Sequence, residues 1–518
     1  PDSTEMGCGA SQGKYGAPKE TEAKEHQILS LDAGYFVENH LGEGDFLTYY
    51  EPDEALSSKH GDFGRYIVTR HRLTEQLAQV QPLAKSATSR AKFDELISVL
   101  RSVGHPNIAK LKEACEDAAS YYLAFELCTG GTLLEAIEDR FAADWEECVH
   151  ACTHSFHQIL KTVEYMHLKH VCHRNLSTDA IVLHGKEKQF KKWQIVINDF
   201  ANACRYTPGQ KMTEVVDVRK GFSPPEFEKK IAYTNACDIY SCGAILCALL
   251  FGDPNPDLVD WKKNMSAEKG LILRMTSADA HRPSVEQCLA DCFFNTMKEV
   301  SRGKEVSAQN LENMQRFCKS NKLKKLAIHI SASHLSAPEV LRMKEMFELI
   351  DKDKSGVVSL AELKQAMQEL MTTGGYRARA AIPQDVERLM EMLDVDGTAT
   401  ISYPEFIAAM TDRKHYTTDS TCLAVFRSFD RNGDGHINRA ELSQALRSES
   451  FKDLDFNLFP AIEEVLASDK DGDGTLDFEE FKAMMKDTAS SDVQKLTRDV
   501  GKRDLLKKKP QDSWAHKA

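Results

Sequence analysis

The hydrophobic pattern divides the chain into parts of different period. From about Tyr35 to Lys110 apolar and polar positions alternate in short runs, as in RYIVTRHRL (Arg65–Leu73), which predicts strands. One stretch among them, KFDELISVLRSV (Lys92–Val103), predicts a helix, because its apolar residues recur three and four apart. From about Leu133 to Phe294 the period is helical. HSFHQILKTVEYMH (His154–His167) and DIYSCGAILCALLFG (Asp238–Gly252) are apolar nearly all round, as buried helices are. A connector, 296–336, ends in the basic amphipathic stretch RFCKSNKLKKLAIHISASHL (Arg316–Leu335). Beyond it, amphipathic helices alternate with polar loops to about Lys486. The expected units are a flexible segment at 1–34, a strand-then-helix domain at 35–295, the junction at 296–336, an all-helical domain at 337–488 and a basic tail at 489–518.

Composition narrows this little. The net charge of −13 argues against a general nucleic-acid binder. No run reaches the roughly 18 apolar residues expected of a membrane-spanning helix. The 14 cysteines follow no disulfide framework, so a reducing, cytoplasmic setting is expected.

The chemistry is clearest in the helical domain, where four 12-residue loops repeat. They start at Asp351, Asp394, Asp430 and Asp469. Calcium takes six to eight oxygens, and such a loop offers them at positions 1, 3, 5, 7, 9 and 12. The expected ligands are Asp351, Asp353, Ser355, Val357, Ser359 and Glu362 in loop one. Loop two offers Asp394, Asp396, Thr398, Thr400, Ser402 and Glu405, and loop three Asp430, Asn432, Asp434, His436, Asn438 and Glu441. Loop four offers Asp469, Asp471, Asp473, Thr475, Asp477 and Glu480. Position 6 turns sharply and favours glycine, present as Gly356, Gly435 and Gly474. Loop two carries Ala399 there, so weakened binding is expected. The region holds 9 of the 16 methionines, which suits an adaptable groove.

The earlier domain holds HVCHRNLSTDAIVLHG (His170–Gly185). In protein kinases this frame reads H-R-D-L-x-x-x-N, with Asp as base and Asn on a metal ion. Here those positions are Asn175 and Ala180. Together with the junction NKLKKLAIHISASHLSAPEV and the four loops, the frame resembles the calcium-dependent protein kinases. The resemblance implies an α+β fold: a bilobal kinase domain followed by an all-α calmodulin-like domain with four EF-hands. It also implies regulation through capture of the junction helix by the EF-hand domain.

Set against that family, the site looks dismantled. Gly42, Gly44 and Phe46 are taken as the glycine loop, with Tyr49 over adenine. RYIVTRHRL is matched to the strand carrying the phosphate-binding Lys, which puts Thr69 at the Lys and Ile67 at the Ala. The helix Glu falls at Leu96. Glu126 stays in the hinge, behind Phe125, and Asp199 and Phe200 stay in the metal-binding Asp-Phe-Gly. The expected pocket is filled by Tyr49 and Ile67 and left uncharged by Thr69, so ATP and magnesium are not expected to be held well. The favoured function is a calcium-switched pseudokinase scaffold for a protein partner. The alternative is a calcium-activated Ser/Thr kinase with altered catalytic residues.

MGCGAS (Met6–Ser11) matches an N-myristoylation signal at Gly7, with Cys8 open to palmitoylation. Attachment to the cytoplasmic face of a membrane is the expected consequence.

Overall fold

The computed structural model describes residues 39–40, 46, 50–53, 66–72, 75–141, 145–185, 193–214, 216, 219–261, 266–278, 281–296, 308–332, 335, 337–373, 385–395, 397–430, 432–446 and 468–486. Gly7, Cys8, Gly42, Gly44, Tyr49 and Asp396 lie outside them.

The first lobe is a six-stranded sheet and a helix. The strands are β1 (Asn39–His40), β2 (Tyr50–Pro52), β3 (Ile67–His71), β4 (Leu77–Ala84), β5 (Leu111–Glu116) and β6 (Ser120–Glu126), in the order β1-β5-β6-β4-β3-β2. All neighbours are antiparallel except β1 and β5. Helix α1 (Arg90–Ser102) begins at Ser89, whose side chain accepts from the Lys92 amide. It buries Phe93, Leu96, Ile97 and Leu100, one stripe at helical spacing.

The second lobe is built on α2 (Leu133–Phe141), α3 (Trp145–Leu168), α4 (Ala236–Phe251) and α5 (Ser266–Met275). Two short antiparallel strand pairs accompany them. One pairs β7 (Val171–Cys172) with β10 (Cys204–Arg205), the other β8 (Ile181–Leu183) with β9 (Ile195–Ile197). The stretch Ala236–Leu258 is long and apolar enough to cross a membrane, which residue counting missed; 72% of its apolar window is buried inside the lobe, as in a core helix. A single apolar core joins α1, the sheet and this lobe.

The longer helices from Ala308 onward form a second core. They are α6 (Ala308–Cys318), α7 (Lys322–Ser331), α8 (Ala337–Ile350), α9 (Leu360–Thr373), α10 (Val386–Leu393), α11 (Tyr403–Met410), α12 (Asp419–Phe429), α13 (Arg439–Leu446) and α14 (Phe478–Lys486). Loops one and two are joined by β11 (Val357–Val358) and β12 (Ile401–Ser402). Loops three and four are joined by β13 (His436–Ile437) and β14 (Leu476–Asp477). The junction helices α6 and α7 share this core: Leu311, Phe317, Leu323 and Ile330 are buried with Phe347, Phe406, Phe429 and Phe481. The sequence set 296–336 apart as its own unit. Packing joins its described helices to the calcium-loop domain, because their apolar stripe has its partners there.

Candidate functional site

The cleft between the kinase-like lobes is read from β4. This strand lies beside β6 and leads directly into α1, so it occupies the place of the phosphate-binding strand. Successive strand residues face opposite sides. Ala78 and Val80 are buried with Phe46 and Tyr50, while Gln79 and Gln81 point the other way. Gln81 is buried, and its Nε2 donates to Oδ1 of Asp199 at 3.3 Å. From the opposite lobe Asn175 Nδ2 donates to Oδ2 of Asp199 at 2.8 Å. Both carboxylate oxygens of Asp199 therefore accept from neutral amides. Asp199 itself sits in the left-handed region, at φ 59°.

This corrects the placement of Thr69. Thr69 lies on β3, one strand too early, fully buried, and its hydroxyl donates to the Ala78 carbonyl at 3.4 Å. Ile67 is 36% exposed and does not fill a pocket. Beside Gln81, Tyr66 also crosses the cleft, its hydroxyl donating to Oδ1 of Asn198 at 3.3 Å. Tyr66 also packs against the main core. Sequence matching missed Gln81, Tyr66 and Asn198. The available signal was Gly61-Asp62-Phe63-Gly64, a second glycine-containing run leading into β3.

The frame around Asn175 is intact. Asp238 accepts from the His173 amide at 2.9 Å and the Arg174 amide at 2.8 Å. His173 Nε2 lies 3.0 Å from the Asn198 carbonyl, and Glu226 forms a buried ion pair with Arg282. Ala180 is buried, and its methyl offers no oxygen to a metal. Glu126 accepts from the Lys110 amide at 3.1 Å and faces His184 at 3.6 Å. Burial opposes its charge, but His184, the Lys110 amide and Lys344 together hold its carboxyl down at about 2.

The four calcium loops fold alike. The first Asp of each accepts from the amide of position 6: Gly356 to Asp351 at 3.0 Å, Ala399 to Asp394 at 2.8 Å, Gly435 to Asp430 at 2.9 Å and Gly474 to Asp469 at 2.8 Å. The terminal Glu turns inward in each. In loop one, for example, Glu362 accepts from the amides of Lys352 and Ser359, both at 2.9 Å. Asp351, Asp353 and Glu362 bring oxygens within 4.8 Å of one another, as do Asp469, Asp471 and Glu480. Burial, with Asp353 and Glu362 alongside, pushes the Asp351 carboxyl up to about 7. A crowded set of hard oxygen donors fits calcium. Loop two keeps the backbone shape with Ala399 held at φ 60°.

The junction is gripped by polar contacts as well as apolar ones. Lys324 Nζ donates to the Met484 carbonyl at 2.9 Å, Lys325 Nζ to that of Met392 at 2.8 Å, and Asn313 Nδ2 to that of Met410 at 3.0 Å. These carbonyls lie in the last turns of α14, α10 and α11, where backbone acceptors lack helical partners.

Comparison with known proteins agrees with this architecture. Residues 60–334 match the protein kinase domain, and 341–411 and 419–486 match the EF-hand domain pair. The chain is 30% identical to calcium-dependent protein kinase 9 of Oryza sativa subsp. japonica, over 91% of this chain and 80% of that one. It is 32% identical to calcium-dependent protein kinase 21 of Arabidopsis thaliana, over 76% and 74% of the two chains. This chain belongs to the calcium-dependent protein kinase family. As such a member it joins a kinase fold and a calcium-sensing domain in one chain. The kinase-domain match begins at residue 60, past Gly42 and Gly44 and just before Gly61, in keeping with the strand order around β4.

Proposed function

We propose that this member of the calcium-dependent protein kinase family has given up phosphotransfer and serves as a calcium-switched scaffold. The observation that carries this reading is the pair of neutral amides, Asn175 and Gln81, that donate to the two oxygens of Asp199. A working site needs a base, a cation at the phosphates and two metal ligands. Asn175 stands at the base position, and a neutral amide cannot accept the substrate proton at pH 7. That loss alone is worth about 10²–10⁴ in rate. Gln81 stands at the cation position without charge. Ala180 removes one metal ligand, and Asp199 is engaged by two amides. Tyr66 bridges the lobes where adenine would enter.

The alternative, a calcium-activated Ser/Thr kinase with altered residues, draws on the intact Asp238 frame and on Asp199 itself. Thermal shift with ATP, with and without magnesium, separates the two before any substrate is known. The scaffold reading expects no shift.

The calcium domain supplies the switch. In sensor EF-hands calcium opens helix pairs and exposes an apolar groove. The junction α6–α7 packs in the core of that domain, and calcium would move it between the kinase fold and the groove, exposing or burying a face for a protein partner. Acylation at Gly7 and Cys8 would hold the scaffold at a membrane's cytoplasmic face, two anchors being needed for stable attachment.

A further inference from the structure

Among the described residues, three sets of His, Cys, Asp and Glu side chains bring ligand atoms within 4.8 Å of one another. Two belong to calcium loops one and four. The third is His167, Cys172 and Asp238, inside the kinase-like domain, and its thiol serves neither the calcium loops nor the cleft. Three elements meet there: His167 lies in the last turn of α3, Cys172 ends β7 and Asp238 lies in the first turn of α4. Cys237, one residue before Asp238, adds a second sulfur 3.4 Å from Cys172 Sγ. Cys172 Sγ lies 3.3 Å from Asp238 Oδ2, and His167 Nε2 lies 3.0 Å from the same oxygen. Cys172, Cys237 and Asp238 are all buried.

Thiolate, imidazole and carboxylate are the ligands that zinc takes, four to a structural site. Bonds of about 2.3 Å to sulfur and about 2.0–2.1 Å to nitrogen and oxygen give tetrahedral edges of about 3.3–3.8 Å. The three measured separations are each about 0.3 Å shorter, so a slight parting of the side chains admits the ion. The imidazole is supported from behind: Asn235 Nδ2 lies 3.1 Å from His167 Nδ1. With a metal on Nε2, Nδ1 carries the proton, and a half-turn of the Asn235 amide brings its oxygen there to accept it. Cys204, opposite Cys172 on β10, turns its sulfur to Met212 at 3.6 Å and stays outside the set.

We propose that His167, Cys172, Cys237 and Asp238 form a structural site for one zinc ion, which ties α3, β7 and α4 together beside the Asn175 loop. The ion bonds to both sulfurs in place of their protons, which leave to water; no electron is transferred. Burial, with Cys237 and Asp238 alongside, raises the Cys172 thiol well above its ordinary value. It is a neutral thiol at pH 7 unless a cation offsets the thiolate, so affinity rises with pH. Asp238 keeps its amide donors, His173 and Arg174, because each carboxylate oxygen has more than one lone pair. With all four positions filled by side chains, the site is closed and structural. The proposal rests neither on the calcium switch nor on the loss of phosphotransfer.

The test is cobalt(II) titration of the reduced full chain, with calcium present to fill the EF-hand loops. Cobalt takes zinc's place and reports thiolate ligands by charge-transfer absorption and tetrahedral geometry by its visible bands. Wild type is expected to take up one such equivalent and to release it to one equivalent of zinc. Cys172→Ala and Cys237→Ala should each weaken it by at least about tenfold, and Asn235→Leu, which leaves all four ligands in place, by about tenfold. Cys204→Ala should bind as wild type does. Circular dichroism checks the fold of each variant; where a cysteine variant does not fold, Asn235→Leu decides. No thiolate-to-cobalt absorption in wild type overturns the site. So does absorption that survives unchanged in Cys172→Ala and Cys237→Ala, or an unchanged affinity in Asn235→Leu. A loss in Cys204→Ala as large as in Cys172→Ala also overturns it, because the ligand set is then a different one.

Discussion

Asn175 donates its side-chain amide to the Asp199 carboxylate at 2.8 Å, in a loop that Asp238 still holds through the amides of His173 and Arg174. The loop has kept its support and holds an amide where the family frame has a carboxylate. Restoring one residue should therefore harm the fold before it helps catalysis. In Asn175→Asp two carboxylates meet with no lysine between them, since Gln81 is neutral. The new acid's folded pKa is raised, so the deficit is small below about pH 4 and full once pH exceeds that raised value. A loss of about 2 kcal/mol at pH 7.5 is expected from denaturant unfolding, with no gain in phosphotransfer.

Tyr66 and Gln81 should together govern nucleotide entry. The double change Tyr66→Val and Gln81→Lys opens the space beneath β3 and returns a cation beside Asp199. Magnesium-ATP is expected to raise the melting temperature of that variant and to leave wild type unmoved. An equal shift in both proteins would show that neither side chain closes the cleft.

Buried histidines predict acid sensitivity. Burial, with Lys344 near, lowers His105 to about 3, and burial with Lys110 near lowers His329 to about 4. These folded values lie below the unfolded value of about 6.5. Each histidine's contribution is thus present above pH 6.5 and is lost as pH falls toward its folded value. The slope is roughly 1.4 kcal/mol per pH unit per histidine. Denaturant unfolding from pH 7.5 to 4.5 checks this; His329→Leu should flatten the profile by one histidine's share.

Loop two can be improved. Ala399 holds φ 60°, which costs a residue with a Cβ about 1 kcal/mol relative to glycine. Ala399→Gly should tighten loop two by roughly fivefold in titration calorimetry. In the same measurement Glu480→Gln should weaken loop four. No tightening in Ala399→Gly would mean that Thr398 limits the loop rather than its turn.

The sequence made the calcium loops and the His-Arg-Asn frame readable, because both are local spacings that carry their own chemistry. The lysine position was not readable in this way. Val68-Thr69-Arg70 imitates the expected strand motif, and Gln81 looks like an ordinary polar strand residue. Only the pairing of β4 with β6 and its lead into α1 identify Gln81, and those are tertiary facts. Tyr66 gives no local sign of its reach to Asn198. The contact of Gly356 with His105 and Tyr165 joins two domains and leaves no trace in local pattern. The junction's basic amphipathic character was legible; that Lys324 and Lys325 would serve helix-end carbonyls was not.

Phosphotransfer by the full chain tests the central claim most directly. Radiolabelled ATP is supplied with magnesium and saturating calcium, and incorporation into the chain and into a general basic protein acceptor is compared with that of Asp199→Ala. Incorporation equal in the two proteins, with and without calcium, is the result expected of a scaffold. Calcium-stimulated incorporation that Asp199→Ala abolishes would contradict it and return the chain to the working kinases of its family.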